Sequence, residues 1–479
     1  MVDVLEIVRA LVAELRPGAA RVDLDSHLER DLGLDSLARV ELLARIEQAS
    51  GLRLPAGTLT EAETPRQLQQ ALQQAHPDAL PLPPAPVPTA CDSGMEHVET
   101  PDGVATLVEV LEWHARRWPQ RVHIHFLQND VEVAALRYGE LLDAAARVAG
   151  ALQRDGLQAG QAVAIMLPTC LDFFISFCGA LLAGGVPVPM YPPTRPSQLE
   201  DHLRRQAGIL QSCGAPVLIT VAEARLAARV LAAQVPSLAR VCTPAELQEA
   251  EGGPRPVARS ASDLALLQYT SGSTGNPKGV MLSHANLLAN IRAWSRAIEV
   301  RAEDVCVSWL PLYHDMGLIG TWLGSLYNGN PLVLMSPLDF LSRPANWLRA
   351  IHRYRGTLSA APNFAFELVV RHTAEADLAG LDLSCLRRVV NGAEPVSPDT
   401  LERFATHLGR HGFRREAMTP LYGLAENAVG LTAPLPGRGP RIDRVGRETF
   451  LQRARAERAD GAADADTMRF VGCGRPLPG

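Results

Sequence analysis

The stretch from Leu264 to Asn290, LALLQYTSGSTGNPKGVMLSHANLLAN, begins as an apolar run and passes through small and hydroxyl residues to Lys278 and a helical pattern. This predicts the order strand, loop, lysine, helix. Backbone N–H groups beside glycines can turn toward an anion, hydroxyls add donors or a metal ligand, and the lysine adds positive charge. The residues suited to this are Thr270, Ser271, Gly272, Ser273, Thr274, Gly275 and Gly279. The pattern therefore predicts a loop that grips phosphate.

This loop differs from the common nucleotide motif G-x-x-x-x-G-K-[ST], because Pro277 precedes the lysine and Gly279 follows it. A short glycine and serine stretch taken alone is as often a flexible surface turn. A long run of such residues between a strand and a helix favours binding over a plain turn.

From about residue 100 onward, short β-rich runs alternate with longer helical patterns such as YGELLDAAARVAGALQRDG from Tyr138. The strand-like runs are VAIML, VPVPMY, PVLITV, LALLQYT and PLVLM. This alternation predicts an α/β region with parallel sheets covered by helices. The apolar run Phe173 to Met190 approaches the length of a bilayer span, but a glycine pair and two prolines divide it into a short helix and a short strand. We therefore expect no transmembrane segment.

The first residues of the chain have a different pattern. Apolar residues at helical spacing begin at Val4, after Ser36 and after Thr64, which predicts a small helical bundle. The proline-rich stretch HPDALPLPPAPVPTA from His76 favours an extended, semi-stiff linker. The predicted boundaries are 1–75 for the bundle, 76–100 for the linker and 101–479 for the α/β region.

Composition limits the possible functions. A chain of 479 residues with 47% hydrophobic content can form two or three cores, and a net charge of −6 argues against a nucleic-acid partner. Eight cysteines without C-x-x-C pairs argue against a zinc site and a disulfide framework. The N-terminal stretch carries Asp3 and Glu6 within its apolar pattern and does not have the form of a signal peptide. These features lead us to expect a cytoplasmic protein with reduced thiols.

Four stretches, in order, resemble the signature motifs of the AMP-forming family of acyl- and aminoacyl-activating enzymes. They are TSGSTGNPKG at Thr270, WLPLYHDMGL at Trp309, NGAEPV at Asn391 and LYGLAEN at Leu421. Four matches in the same order as in the family make a chance resemblance negligible. The resemblance implies an α/β adenylate-forming domain that uses ATP and Mg²⁺ to activate a carboxylic acid.

Other stretches resemble the fatty-acyl-AMP ligase branch of that family. They are YPPTRP at Tyr191, YHDMGLIG at Tyr313, SPLDFLSRPANWLRAIHRYRGTLSAAPNFAFEL from Ser336 and the closing VGCGRPLPG. The segment RETFLQRARAERADGAADADTMRF from Arg447 lies where that branch carries an insertion thought to disfavour transfer to coenzyme A. Its charged, alanine-rich composition is equally typical of a solvated surface segment.

The chemistry explains why such an enzyme needs cations and hard oxygen ligands. A carboxylate must attack the α-phosphorus while pyrophosphate departs, so negative charge must be neutralised. The resemblance implies that Lys278 and the loop amides hold the β- and γ-phosphates, and that Thr270 and Glu426 hold Mg²⁺. It further implies that the NGAEPV turn and Tyr422 enclose adenine. The plain alternatives are a surface charge for Glu426, and a structural turn with a core tyrosine for NGAEPV and Tyr422. The implied nucleotide-binding residues are Thr270, Ser271, Gly272, Ser273, Thr274, Gly275, Lys278, Asn391, Gly392, Ala393, Glu394, Tyr422 and Gly423.

The resemblance makes His314 a catalytic candidate beside Lys278 and Glu426, because a donor near the carboxylate and the α-phosphate steadies developing charge. An isolated histidine is more often structural, and Asp315 is interpreted as structural. An apolar slot would favour an aliphatic acid over an amino acid, whose ammonium needs a buried carboxylate. The candidate wall residues, which could equally be plain core, are Trp309, Leu310, Phe364 and Phe366.

The N-terminal bundle resembles an acyl carrier protein, which implies a four-helix bundle. DLGLDSL at Asp31 resembles the attachment motif for 4'-phosphopantetheine, with Ser36 as the modified residue, although a lone serine at this position also suits helix capping. Asp35 and Glu41 would make the second helix acidic toward basic partner enzymes. The implied partners are a fatty acid substrate, a phosphopantetheinyl transferase and downstream biosynthetic domains or enzymes.

In the family, the stretch matching GRPLPG is followed by a ribose-binding aspartate and a mobile lid domain with a lysine. We therefore expect residues 1–479 alone to bind ATP weakly and turn over poorly. The main hypothesis is a fatty-acyl-AMP ligase fused behind a carrier domain, serving lipid, polyketide or peptide synthesis. The alternatives are an acyl-CoA ligase and a carrier or docking module with a silent ligase.

Overall fold

The structure is a computed structural model that describes residues 2–15, 22–34, 36–55, 57–77, 99–192, 199–249, 252–270, 277–459, 461 and 463–478. A small helical bundle precedes a larger α/β region, as the sequence predicted. The helices of the bundle are α1 (Val4–Leu15), α2 (Ser36–Ser50), α3 (Thr58–Glu61) and α4 (Pro65–Gln73). The bundle also has two short strands, β1 (Leu52–Arg53) and β2 (His76–Pro77).

The bundle is held by apolar side chains at the predicted helical spacing. Val8, Ile46 and Leu68 are fully buried in one cluster that joins α1, α2 and α4. Helix α4 begins with a reciprocal capping box between Thr64 and Gln67, which satisfies backbone donors at its start. The three predicted helices are confirmed, whereas α3, with four residues, is too short to produce a periodic pattern.

Strand β2 lies inside the stretch that the sequence assigned to the linker. His76 pairs with Arg53 and Pro77 with Leu52 in an antiparallel arrangement. The rest of the predicted linker, residues 78–98, lies outside the described residues. The described α/β region therefore starts at residue 99.

The helices of the α/β region are named in chain order. They are α5 (Leu107–Arg117), α6 (Tyr138–Arg154), α7 (Leu171–Leu182), α8 (Leu199–Cys213), α9 (Arg225–Gln234), α10 (Pro244–Gln248), α11 (His284–Ala297), α12 (Gly324–Asn328), α13 (Pro337–Ser342), α14 (Ala345–Arg353), α15 (Asn363–His372), α16 (Glu375–Leu378), α17 (Pro398–Gly409) and α18 (Arg447–Arg453). A π-helix spans Met316–Leu323. Short 3₁₀ turns occur at Ala222–Ala224, Arg415–Ala417, Ala425–Asn427 and Asp464–Asp466.

The strands of this region form two larger sheets and several hairpins or short pairs. They are β3 (Val122–Gln128), β4 (Val131–Arg137), β5 (Ala162–Met166), β6 (Val186–Pro189), β7 (Val217–Thr220), β8 (Arg240–Cys242), β9 (Leu264–Thr270), β10 (Lys278–Ser283), β11 (Cys306–Ser308), β12 (Leu332–Met335), β13 (Leu358–Ala361), β14 (Arg388–Asn391), β15 (Met418–Pro420), β16 (Thr432–Ala433), β17 (Arg441–Gly446), β18 (Thr467–Gly472) and β19 (Arg475–Pro476). All five predicted strand-like runs contain a strand.

The two larger sheets are almost entirely parallel. One has the order β6-β5-β7-β8, and the other has the order β15-β14-β13-β11-β12-β3-β4, in which only the β3–β4 pair is antiparallel. The central strands are buried, as parallel strands covered on both faces must be. The carboxyl ends of β11, β13, β14 and β15 lead into the loops that carry most of the family-like motifs, so these loops share one edge of the larger sheet.

Helix α7 connects the layers of the two sheets. Its Phe174 and Phe177 contact the ring of Trp322, with centroids 4.7 and 5.0 Å apart in edge-on geometry. Trp322 lies on the π-helix and donates a hydrogen bond from Nε1 to His123 Nε2 at 3.1 Å. Within the part of the chain that the structure describes, no helix is long and apolar enough to cross a membrane.

A buried carboxylate joins strands of the larger sheet at their amino ends. Asp304 is fully buried just before β11 and accepts from Thr357 Oγ1 at 2.7 Å. The guanidinium of Arg387 donates to both carboxylate oxygens of Asp304, at 3.1 and 2.6 Å. Because Thr357 precedes β13 and Arg387 precedes β14, this one side chain fixes the start of three strands.

Candidate active site

The predicted phosphate loop lies at the end of a β-hairpin. Strand β9 ends at Thr270, and β10 begins at Lys278, which is the antiparallel partner of Thr270. The hairpin therefore places these two candidates side by side, with the exposed lysine at the tip. The other loop candidates, Ser271, Gly272, Ser273, Thr274 and Gly275, lie outside the described residues.

The predicted order strand, loop, lysine, helix was incomplete, because strand β10 lies between the lysine and the helix. Helix α11 starts at His284, after Ser283 caps it by accepting a hydrogen bond from Asn286 N. Gly279 lies within β10, where a Cβ atom would lie 2.9 Å from the Tyr269 ring, so glycine makes room for that ring.

The loop that carries His314 is attached to this hairpin. Gln268, on β9, donates from Nε2 to the backbone oxygen of Tyr313 at 2.8 Å. Tyr313 also meets Tyr191 edge-on, with ring centroids 4.9 Å apart, so two of the stretches that resemble fatty-acyl-AMP ligases are in contact. The structure thus places His314 beside the hairpin that ends in Thr270 and Lys278.

The imidazole of His314 is half exposed and paired with its neighbour. Its Nδ1 lies 2.7 Å from Asp315 Oδ1, and this hydrogen bond raises the pKa of His314 above its ordinary value. Asp315 also accepts from Met316 N at 2.7 Å, at the start of the π-helix. The structural interpretation of Asp315 is therefore incomplete, since the same carboxylate both begins the helix and favours the charged form of His314.

Close backbone packing fixes the turn between His314 and the π-helix. A Cβ atom on Gly317 would lie 2.3 Å from the carbonyl oxygen of Pro311, which no ordinary side chain tolerates. His314 N donates to the same carbonyl oxygen at 3.2 Å. The glycine of the YHDMGL motif is therefore required by the approach of the backbone to itself.

The NGAEPV and LYGLAEN stretches also meet. Leu421 N donates to Asn391 O at 3.0 Å, which joins the loop after β15 to the turn after β14. The next residue, Tyr422, is 53% exposed and therefore free to stack on a flat ligand. Ala393, in this turn, has a φ of 69°. This is a left-handed backbone conformation that few residues other than glycine and asparagine adopt.

The side chains of this turn do not all face solvent. Asn391 is fully buried, and its Nδ2 donates to Asn363 Oδ1 at 3.4 Å, so its side chain supports the turn from behind. Glu394 accepts from Phe364 N at 2.6 Å and thereby caps the start of α15. In the neighbouring loop after β15, Gly423 has no room for a side chain, since a Cβ atom would lie 1.6 Å from the carbonyl oxygen of Val429.

Glu426 lies in the 3₁₀ turn Ala425–Asn427, which contacts strand β10. Asn290, on α11, fixes the same loop by donating to Gly430 O at 2.7 Å and accepting from Gly430 N at 2.9 Å. The element that carries Glu426 is therefore packed against the strand that begins at Lys278. Sequence reasoning missed Asn290, which gives no signal in a helical pattern, and Gln268, whose only signal is a polar residue within an apolar strand.

A metal ion at this site would depend on few protein ligands. The described ranges contain no cluster of three or more His, Cys, Asp or Glu side chains arranged for a metal ion. Thr270 and Glu426 offer two hard oxygen donors on packed elements, and phosphate oxygens would complete the coordination of a magnesium ion. Such a shared site fits Mg²⁺, which commonly binds through one or two protein ligands together with a nucleotide.

The proposed acyl wall is mostly core. Phe366 is fully buried against Trp347 and Phe404, and Trp309 is stacked on Phe340 with ring centroids 3.9 Å apart. Only Phe364, edge-on to Trp309, is partly exposed. Among the four candidates, Phe364 is the residue best placed to meet a ligand.

Comparison with known proteins identifies the family of the region that carries the candidate site. A family model described as AMP-binding enzyme matches residues 111–467, a range that contains every element of the candidate site. The chain belongs to the AMP-binding enzyme family. A second model, for a phosphopantetheine attachment site, matches residues 6–72, so the AMP-binding region follows a carrier domain.

Relatives of this AMP-binding chain include carrier-protein and AMP ligases. It is 34% identical to the medium-chain-fatty-acid--[acyl-carrier-protein] ligase JamA of Moorena producens, over 78% of this chain and 64% of that one. It is 35% identical to the long-chain-fatty-acid--AMP ligase FadD26 of Mycobacterium marinum, over 78% of this chain and 65% of that one. The chain thus spans just under two thirds of the length of these relatives.

Solved structures give the same result for the fold. A chain from a study of fatty acyl-adenylate ligases of E. coli and L. pneumophila superposes with a TM-score of 0.74 at 34% identity, covering 78% of this chain and 67% of that one. The L. pneumophila ligase in complex with acyl adenylate and pyrophosphate gives a TM-score of 0.71 at 34% identity, covering 78% and 64%. The expected α/β adenylate-forming fold is confirmed.

Most of the segment that resembles the branch-specific insertion is an excursion between two paired strands, and its last four residues, TMRF, begin the second of these strands. Strands β17 and β18 pair antiparallel from Arg441↔Gly472 to Gly446↔Thr467, and helix α18 lies in the excursion between them. Most of the described side chains between the two strands are exposed. Sequence reasoning missed this hairpin, because its strands are separated by the charged segment.

The carrier domain places the attachment candidate at a helix start. Helix α2 begins at Ser36, as the sequence predicted, while Asp35 lies outside the described residues. Glu41 is partly buried and divides its oxygens between two partners, with Oε1 2.7 Å from Arg45 Nε and Oε2 3.1 Å from His372 Nε2. The acidic face expected on α2 is thus already engaged at Glu41.

Proposed function

We propose that this protein activates a fatty acid as acyl-AMP with ATP and Mg²⁺ and transfers the acyl group to a carrier-bound thiol. The observation that carries the proposal is the meeting of four separate stretches at one place. Thr270 and Lys278 are paired across the hairpin, and Gln268 joins that hairpin to the His314 loop. The turn after β14 is joined to the loop that carries Tyr422.

In the proposed reaction, an oxygen of the fatty acid carboxylate forms a bond to the α-phosphorus. The bond between that phosphorus and the bridging oxygen breaks, and pyrophosphate leaves. Lys278 would neutralise the β- and γ-phosphates, Thr270 and Glu426 would hold Mg²⁺ among phosphate oxygens, and protonated His314 would donate toward the developing charge. The Asp315 carboxylate supports this role, because it favours the proton on His314.

The adenine ring would lie on the exposed face of Tyr422, against the backbone of Gly392 and Ala393. Asn391, Glu394 and Gly423 would act by holding these loops, given their buried or backbone-bound positions. The loop residues Ser271, Gly272, Ser273, Thr274 and Gly275 remain proposed phosphate ligands.

The second half of the reaction would use Ser36. When attached there, the phosphopantetheine group supplies a thiol that accepts the acyl group from acyl-AMP while AMP leaves. We further propose that a phosphopantetheinyl transferase modifies this serine, that downstream biosynthetic enzymes receive the acyl chain, and that the protein is cytoplasmic. The last point is supported by seven described cysteines, all free, among which burial raises the pKa of thiols such as Cys242.

A stable mimic of the adenylate tests the site without requiring turnover. Titration calorimetry with a fatty-acyl sulfamoyl adenosine should show binding, and Tyr422→Ala should weaken it on the order of tenfold, because a stacked base loses its aromatic partner. Phe470→Ala is the matched control, since that exposed aromatic lies on β18, outside the site. The proposal would be overturned if the chain without substitutions did not bind the mimic, or if the Tyr422 variant bound it with equal affinity. Preference of the chain for an aminoacyl mimic would overturn it as well.

The acyl-CoA ligase alternative predicts a different product. With free coenzyme A, ATP and a fatty acid, that alternative requires release of acyl-CoA. We expect the carrier domain to compete successfully with coenzyme A for the acyl group. Chromatography of the products separates the two outcomes, and dominant acyl-CoA formation would favour the alternative.

A further inference from the structure

Two apolar side chains of the carrier domain are buried by the AMP-binding region and not by the carrier's own core. Val40 on α2 and Leu59 on α3 are only 5% and 4% exposed. Both belong to the apolar cluster of the larger sheet and its helices, and neither belongs to the cluster that holds the bundle together. A free carrier domain would therefore expose them to water.

A polar contact lies beside this apolar one. Glu41, one residue after Val40, approaches His372 at the end of α15, with Oε2 and Nε2 3.1 Å apart. Burial lowers the pKa of His372, so at neutral pH the neutral ring donates a hydrogen bond to the carboxylate. Arg45 holds the other oxygen of Glu41 and also binds Glu14, which fixes the carboxylate on the surface of the carrier domain.

The contact is specific in composition but not packed like a core. A cavity of about 660 Å³ remains beside it, lined by carrier residues such as Leu43 and Leu54 and by Leu341, Pro344 and Thr373 of the AMP-binding region. Protein cores leave few spaces of this size, whereas interfaces have solvent-accessible rims and trapped water. This is typical of two surfaces that meet and part.

The connection between the two regions does not force the contact. Residues 78–98 join them, and an extended chain of that length could span roughly 70 Å. The carrier domain could therefore lie at many places around the AMP-binding region. Its position must come from the surfaces themselves.

We propose that the surface formed by the ends of α13 and α15 is a docking site for this chain's own carrier domain, which binds through Val40, Leu59 and Glu41. We call this surface the carrier dock, defined by Leu341, Pro344, His372 and Thr373. The dock holds the carrier domain, including the start of α2 at Ser36, on its own ligase between turnovers. The resulting high local concentration of this carrier domain favours acyl transfer to it over transfer to a separate carrier protein.

The dock concerns where the carrier rests and does not depend on which acid is activated. Its test therefore uses hydrogen–deuterium exchange of the whole chain, which needs neither ATP nor turnover. Leu59→Asp places a charge in the apolar contact and should release the carrier domain, because an unpaired buried carboxylate is costly. Peptides covering the end of α15 should then exchange several-fold faster.

Leu15→Asp is the matched control, since Leu15 is a 53% exposed leucine of the same carrier domain. It should leave exchange at α15 unchanged. If Leu59→Asp also leaves exchange at α15 unchanged, or if Leu15→Asp accelerates it equally, the dock does not exist in solution.

Because Leu59→Asp could unfold α3 locally, a second variant tests the dock without changing α3. His372→Asp opposes Glu41 with a like charge and should release the carrier domain, measured as a larger radius of gyration in X-ray scattering. Combining it with Glu41→Lys restores opposite charges and should return the radius toward that of the unmodified chain. No expansion in the single variant, or no recovery in the double variant, would overturn the proposal.

Discussion

At the scale of single residues, the neighbouring pair His314 and Asp315 shows how one hydrogen bond favours the charged form of a side chain. The Asp315 hydrogen bond raises the pKa of His314, and the ring is otherwise half exposed. Because the charged form of the imidazole is the one that Asp315 favours, the aspartate would act as a positioning and tuning residue for the proposed donor. The YHDMGL motif thus contains a hydrogen-bonded pair, which we propose acts as one unit, whereas the sequence suggested a single candidate.

Replacing the aspartate should reverse this shift. In Asp315→Asn the neutral amide no longer favours the imidazolium, so the pKa of His314 should fall below its value in the unmodified chain. Nuclear magnetic resonance of ¹³C-labelled histidine measures this directly as a titration. An unchanged pKa in the variant would show that Asp315 does not control the charge of His314.

Two glycines of the π-helix make a matched pair. At Gly317 a Cβ atom would lie 2.3 Å from Pro311 O, whereas at Gly320 the nearest atom would be 3.8 Å away. We expect Gly317→Ala to lower the free energy of unfolding by about 1–3 kcal/mol through overpacking, and Gly320→Ala to leave it nearly unchanged. Urea denaturation followed by tryptophan fluorescence reports on unfolding of the AMP-binding region and not of the carrier domain, because all six tryptophans lie beyond residue 100. Equal stability of the two variants would contradict the account.

At the scale of elements, the buried carboxylate of Asp304 fixes the amino ends of β11, β13 and β14. Removing its partner leaves a fully buried charge without its main counterion. Arg387→Met should therefore lower the free energy of unfolding by about 3–5 kcal/mol. Arg204→Met, which breaks the exposed pair with Glu200, is the control and should change it little. A small effect of Arg387→Met in the same denaturation experiment would mean that Asp304 is neutralised in another way.

Sequence patterns predicted the long elements well and the short or non-local ones poorly. Helix α6 and strand β5 follow strong periodic or β-branched patterns, and the structure confirms both. Strand β10 was missed because glycine and lysine at its start conceal a strand whose buried residue is Leu282. The pairing of β17 with β18 depends on residues that an excursion separates, which no local pattern can predict.

The candidate site shows the same division. The motifs located Thr270, Lys278, His314, Tyr422 and Glu426 on loops and strand ends, because polar residues and glycine turns mark such places in a sequence. The supporting bonds of Gln268 and Asn290 join parts of the chain far apart in sequence, so only the folded structure reveals them. Burial likewise decided that Phe366 is core, since aromatic spacing alone could not.

At the scale of the whole molecule, the arrangement is a carrier domain attached to, and in contact with, an AMP-binding region. This couples the proposed thiol acceptor at Ser36 to a site proposed to make acyl-AMP. Slow turnover would not prevent a decisive test, because a single acylation per chain can be detected by mass.

The most direct measurement is intact-protein mass spectrometry after a long incubation of the phosphopantetheinylated chain with a fatty acid, ATP and Mg²⁺. We expect a mass increase of one acyl group, located by peptide analysis on the prosthetic group at Ser36, and none without ATP or in Ser36→Ala. A chain that gains phosphopantetheine but never the acyl group would contradict acyl activation by this protein and favour a carrier with a silent ligase.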